Sequence, residues 1–130
     1  IYYGDEVGME GLNDPDCRRG MIWNAKEQNL DLLAWHKTLI ALRKKHEVLR
    51  RGQCRTVWAD SATNIFGFVR FNQGEQVLVL LNNSPKRQSI DLREIAWPRA
   101  VPMQVTDLLT NEKYSLGEIT LEPYGTRILG

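Results

Sequence analysis

The apolar residues change their period at Gly52, and no other feature constrains the possible folds as much. Before it, Leu32, Trp35, Leu39, Leu42 and His46 recur at spacings of three and four, and Leu33, Ile40 and Leu49 widen the stripe. That pattern predicts one amphipathic helix over 30–51. Asn29 suits its N-cap and Asp31 its first turn, while Lys44, Lys45, Arg50 and Arg51 crowd its end and Gly52 suits the C-cap. After Gly52 the alternation has a period of two. Strands are expected at Cys54–Ala59, Ile65–Asn72, Gln76–Asn82, Ser89–Arg93, Met103–Leu108, Glu112–Leu116, Glu118–Glu122 and Thr126–Leu129. Turn signals such as Asn72-Gln73-Gly74, Asn82-Asn83-Ser84-Pro85 and Pro123-Tyr124-Gly125 separate most of them. Many short strands at this spacing predict a mainly β fold, an antiparallel sandwich.

The part before the helix reads differently. Ile1-Tyr2-Tyr3 looks like a short buried strand stopped at Gly4, followed by a loop rich in Gly, Asp, Asn and Pro. A strand, a loop and a helix make one unit of a parallel α/β barrel. One unit cannot close a barrel, and a strand without a polar lead-in is an unusual start. The expectation is a piece of a longer protein, with an incomplete barrel unit over 1–52 and a β domain over 53–130.

A net charge of +1 gives no global field that would favour nucleic acid or an anionic membrane. The basic excess is local: residues 29–52 carry six basic and two acidic side chains, mostly near the helix end. Helix-dipole compensation accounts for that more simply than an anion patch, because no aromatic side chains interleave with it. Cys17 and Cys54 lack metal spacing, and two isolated thiols fit a reducing, cytoplasmic setting. No run approaches transmembrane length. His36 and His46 stand ten apart with no further ligand at a useful spacing, so neither a metal site nor a cofactor is expected.

Chemistry concentrates in the loop from Gly4 to Trp23, which carries Asp5, Glu6, Glu10, Asp14, Asp16, Arg18 and Arg19. In α/β barrels, function sits on loops that follow strands. Carboxylates and guanidinium forks are the groups that hold neutral polyhydroxy ligands. The competing reading makes Asp14-Pro15-Asp16 a turn, with Asp14 satisfying backbone amides. Asp5 and Glu6 do not read as a catalytic pair, since adjacent residues leaving a strand point to opposite sides. Met21-Ile22-Trp23 is expected to pack the loop down. Trp23, Trp35, Trp58 and Trp97 could stack on sugars, but most are expected in the core.

Ile1-Tyr2-Tyr3-Gly4-Asp5-Glu6-Val7-Gly8 resembles the eighth barrel strand of the α-amylase family of glycoside hydrolases. Asn13-Asp14-Pro15-Asp16-Cys17-Arg18-Arg19-Gly20-Met21-Ile22-Trp23 resembles the neopullulanase, cyclomaltodextrinase and maltogenic amylase branch. Leu39-Ile40-Ala41-Leu42-Arg43-Lys44 is similar to the family's eighth barrel helix, and the β region to its C-terminal Greek-key sandwich. The resemblance implies a parent enzyme that cleaves α-1,4 and sometimes α-1,6 glucosidic bonds of cyclodextrins, maltodextrins or pullulan with retention. It implies that the catalytic Asp, Glu and second Asp come from earlier strands, so this chain holds no catalytic residue. It places the branch's substrate-binding pair on Asp14 and Arg18.

Two other classes compete: a free-standing carbohydrate-binding or scaffolding β domain, and a basic-helix module for nucleic acid. The first needs an exposed aromatic platform on the sandwich and the second a steep salt dependence. The partner expected on the favoured reading is an α-glucan oligosaccharide, met through the complete enzyme, with no nucleic acid or membrane. For the piece alone the expectation is either disorder in residues 1–23 or self-association, most economically a two-fold homodimer, that buries the orphaned strand edges and helix stripe.

Overall fold

The computed structural model describes residues 1–130 and divides the chain into two compact units, Ile1–Lys45 and His46–Gly130.

The second unit is a mainly β, antiparallel assembly. A short helix α2 (Val48–Arg51) leads into β1 (Gln53–Asp60), β2 (Ile65–Phe71), β3 (Gln76–Asn82), β4 (Gln88–Asp91), β5 (Gln104–Thr106), β6 (Lys113–Ser115), β7 (Glu118–Leu121) and β8 (Thr126–Leu129). Every strand expected after Gly52 is present, and those that differ do so by a residue or two at an end. They form a four-stranded sheet in the order β1-β2-β3-β8 and two ribbons, β4-β7 and β5-β6. Every pairing is antiparallel. Backbone bonds Leu108 N to Ile128 O (2.7 Å) and Gly130 N to Thr106 O (2.9 Å) attach the β5 segment to the free edge of β8.

The register explains the core. Ile65, Gly67 and Val69 stand opposite Asn82, Leu80 and Leu78, so one face of the β2-β3 pair carries these residues together. Its aliphatic members join Ile90 of β4, Val105 of β5, Ile119 and Leu121 of β7, and Leu129 of β8 in one buried cluster. Side chains from the sheet and both ribbons therefore share one interior, as a sandwich requires. Burying each of these aliphatic side chains contributes roughly 1.5–3 kcal/mol.

One bulge and one ion pair shape this unit further. The β1-β2 register slips between Thr56 and Trp58, so Trp58 stands opposite Gly67. A Cβ on Gly67 would lie 2.8 Å from Leu80 Cδ2 and 3.1 Å from Trp58 Cβ, so the glycine makes room for both. Asp107 is 1% exposed and accepts from Arg127 Nη1 at 3.1 Å and from Leu109 N at 2.9 Å. The Arg127 guanidinium also lies 5.2 Å from the Tyr114 ring centroid, tying β8 to the β5-β6 ribbon.

The first unit has no strand. Ile1, Tyr2 and Tyr3 are exposed, and Asp5–Val7 forms a 3-10 turn bracketed by Gly4 (φ 93°) and Gly8 (φ 72°). The expected strand is overturned for a local reason. Tyr2 N donates to Asp5 Oδ2 at 2.7 Å and Gly4 N to Glu6 Oε2 at 3.0 Å, so nearby carboxylates satisfy amides that a strand would give to a neighbour. The carbonyl of Val7 accepts from Asn29 N at 2.9 Å, which holds this turn to the start of helix α1 (Leu30–Lys45).

The single helix expected over 30–51 is two helices. Asn29 is the N-cap of α1 as read from the sequence, with Oδ1 accepting from Leu32 N at 2.9 Å. This helix stops at Lys45, and α2 restarts at Val48 as part of the β unit. Val48 is fully buried there, and Arg70 Nε on β2 donates to its carbonyl at 3.3 Å. Gly52 ends α2, but with φ −65° and ψ 158° rather than a left-handed cap. Its role is closeness: an added Cβ would lie 2.5 Å from Val48 O and 2.9 Å from Phe71 O.

Candidate functional site

The loop from Gly4 to Trp23 is the candidate site. Two acid–base pairs interleave in it, and the structure separates their tasks. Asp16 holds the loop together. Its carboxylate takes Arg19 Nε at 2.8 Å and Arg19 Nη2 at 2.6 Å, and also accepts from Leu12 N at 2.8 Å. The Arg19 guanidinium first, and the Leu12 amide second, hold the Asp16 carboxyl below its ordinary pKa, and Asp16 raises that of Arg19. The Arg19 carbonyl accepts from the Tyr3 hydroxyl at 2.7 Å, so the loop folds back on the N-terminal turn.

Asp14 and Arg18 form the second pair, with Arg18 Nε 2.9 Å from Asp14 Oδ1. The short turn Asp16–Arg18 brings position 18 back over position 14. The Arg18 and Asp14 side chains are 72% and 61% exposed, so an acceptor-only carboxylate and a donor-only guanidinium stand side by side facing solvent. The turn-holding role considered for Asp14 is performed by Asp16, which accepts from Leu12 N. An arrangement of this kind can grip vicinal hydroxyls, one donating to the carboxylate and its neighbour accepting from the fork.

Asp5 and Glu6 each accept from a backbone amide of their own turn, as above. Trp23 is 83% exposed, so it does not pack the loop down; Met21 and Ile22 are half-buried beside it. Gln28 Nε2 donates to Ile22 O at 2.6 Å and fixes that stretch from the other side. Trp35 is exposed on α1, whereas Trp58 and Trp97 pack against the sandwich core, Trp97 donating from Nε1 to Leu92 O at 3.0 Å. The tryptophans thus divide evenly between surface and interior. The histidines serve locally: His36 Nδ1 contacts Leu32 O at 2.9 Å, and His46 Nδ1 contacts Glu75 Oε1. No three His, Cys, Asp or Glu side chains converge in a way that could hold a metal ion. No helix is long and apolar enough to cross a membrane.

Residues 55–128, which form most of the β unit, match the maltogenic amylase C-terminal domain family. The chain belongs to that family. Its likeness extends upstream of the matched region. It is 44% identical over 133 aligned residues to neopullulanase 2 of Thermoactinomyces vulgaris, covering 99% of this chain and 22% of that protein. It is 38% identical over 96 residues to an intracellular maltogenic amylase of Bacillus subtilis, covering 73% of this chain and 16% of that one. Among solved structures, maltogenic amylase from S. marinus superposes with a TM-score of 0.77 at 31% identity, over 100% of this chain and 16% of that one. The chain thus spans about a fifth of the length of the relatives it matches. The relatives are glycoside hydrolases of the α-amylase family, and the branch resemblance read from residues 1–23 holds.

Proposed function

We propose that this chain forms the C-terminal part of a retaining glycoside hydrolase that cleaves α-1,4 and sometimes α-1,6 glucosidic bonds in cyclodextrins, maltodextrins or pullulan. Residues 1–52 supply the last strand-loop-helix unit of its (β/α)8 barrel, and 53–130 its Greek-key sandwich. Ile1-Tyr2-Tyr3 takes strand form when barrel strands flank it on both sides. The catalytic acid and nucleophile lie on earlier barrel strands. The continuous alignment of this chain with neopullulanase 2 supports the assignment. The free thiols of Cys17 and Cys54, both exposed, and the intracellular relative support a cytoplasmic enzyme.

Within that enzyme Asp14 and Arg18 bind a glucose unit on the non-reducing side of the cleaved bond. The observation that carries this reading is their exposure as an ion pair no backbone group uses, while Asp16 and Arg19 hold the loop. Each contributes one charged hydrogen bond to a sugar hydroxyl, about 1.5–3 kcal/mol. In the complete enzyme, Asp14→Ala or Arg18→Ala therefore lowers kcat/KM on maltotriose and cyclodextrin by about ten- to a hundredfold with the melting temperature unchanged. Wild-type kcat/KM in both variants would refute the assignment.

A further inference from the structure

The β unit contains a recess of its own. It is a cleft of about 430 Å³ between the end of α2, the β2-β3 turn and the loop after Trp97. Arg51, Gln53, Phe71, Gln73, Pro98 and Arg99 line it, together with Gly52 and Asn72. That volume falls within the range of small-molecule sites, roughly 300–1,000 Å³.

Its chemistry is one-sided. Two guanidinium groups line the cleft and no carboxylate does. Several of its acceptors are already taken. Asn72 Oδ1 accepts from Gly74 N at 2.9 Å and Glu75 N at 2.8 Å. The Asn72 carbonyl accepts from Arg99 Nη1 at 2.8 Å, and the Gln73 carbonyl takes the same nitrogen. What remains is an excess of positive charge: the Arg51 fork and the other nitrogens of Arg99, beside the side-chain amides of Gln53 and Gln73, which both donate and accept.

A sugar hydroxyl carries no charge, so a neutral sugar leaves both guanidinium charges unmatched. A phosphoryl dianion only accepts and matches two guanidinium groups in charge. Phe71, whose ring packs against the core beside the Arg55 guanidinium, and Pro98 supply the apolar part of the lining. The cleft is also braced before any ligand arrives. Arg99 ties its loop to the β2-β3 turn, and Gln76 Nε2 donates to Ala100 O at 3.2 Å from the first residue of β3. A braced cleft loses less entropy on binding.

We propose that this cleft binds a small phosphomonoester, with the phosphoryl group between Arg51 and Arg99 and the organic part against Phe71 and Pro98. The site is independent of the dextrin-binding role given to Asp14 and Arg18.

Calorimetric titration of the 130-residue chain with glucose 6-phosphate, inorganic phosphate and maltose tests it. Glucose 6-phosphate should bind, inorganic phosphate more weakly, and maltose at this cleft not at all. The affinity should fall as sodium chloride is raised. Arg51→Gln, on an exposed side chain, should weaken the phosphomonoester about tenfold or more with the melting temperature unchanged, and Arg51→Lys should restore part of the loss. Arg99→Lys keeps the charge but not the fork, and should weaken binding as well. Equal binding of glucose 6-phosphate and inorganic phosphate would remove the organic half of the proposal. Failure of both to bind, or binding that Arg51→Gln leaves unchanged, would overturn it, as would Arg51-dependent binding of maltose.

Discussion

Asn82, at the end of β3, is 3% exposed and joins the two layers of the sandwich through its side chain. Its Nδ2 donates to Lys86 O at 2.7 Å and Glu122 O at 2.9 Å, with Leu121 O at 3.4 Å beside them. Its Oδ1 accepts from Ser84 N at 3.0 Å and Ser84 Oγ at 2.7 Å. Asn82→Asp keeps the shape and reverses half of this pattern. The two short donated bonds vanish, at about 0.5–1.5 kcal/mol each, and the carbonyls they satisfied now face a carboxylate oxygen, adding about 1–3 kcal/mol of unmet desolvation. The variant should lose about 3–5 kcal/mol at pH 7, a large share of a stability on the order of 5–10 kcal/mol for a unit this size. The pH dependence has a definite sign. Burial against carbonyls raises the folded-state pKa of the introduced carboxyl above its unfolded value of about 3.9. The protonated form can donate again, so the deficit is smallest below that unfolded value and grows as pH rises through the folded one. Urea unfolding followed by tryptophan fluorescence, at pH 7 and at about pH 4, measures both effects. Trp58 and Trp97 report well because they pack on the core. A variant within about 1 kcal/mol of wild type at pH 7, or a deficit that does not shrink in acid, would refute the reasoning.

Three further outcomes are expected. Gly52→Ala should destabilise the β unit by about 1–3 kcal/mol in the same assay, although its φ of −65° suits alanine, because the new Cβ meets two backbone carbonyls. Arg19→Ala should raise the Asp16 pKa toward its ordinary value in an NMR titration. Because Asp16 is depressed in the folded loop, its contribution to loop order is present above the unfolded pKa and fades as pH falls through the folded one. The 130-residue chain alone should hydrolyse no cyclodextrin, starch or pullulan, since a retaining enzyme needs two carboxylates facing one another about 5–5.5 Å apart. A rate abolished by Asp5→Asn or Glu6→Gln would place the catalytic site in this loop instead.

The strands were legible because each carries its own evidence. Ile65-Phe66-Gly67-Phe68-Val69 is rich in β-branched and aromatic residues, and Asp60-Ser61 before it and Asn72-Gln73-Gly74 after it stop it. Asn29 was legible as a cap for the same reason: capping is a contact between residues three apart. The motif at Asn13–Trp23 was legible as a family resemblance, and the likeness to neopullulanase 2 over 99% of the chain agrees with it. Only the folded structure decided the rest, because it selects among competing partners that the sequence offers equally well. The apolar stripe runs through His46, but α1 ends at Lys45, and Val48, fully buried in the β unit, begins a separate helix. Ile1-Tyr2-Tyr3 has the composition of a strand, yet a strand exists only when a neighbour takes its backbone bonds, and here Asp5 and Glu6 take them first. Asp14 and Asp16 are chemically alike and two residues apart. Only the fold of the turn sends Asp16 inward to Leu12 and Arg19 and leaves Asp14 with Arg18 facing solvent.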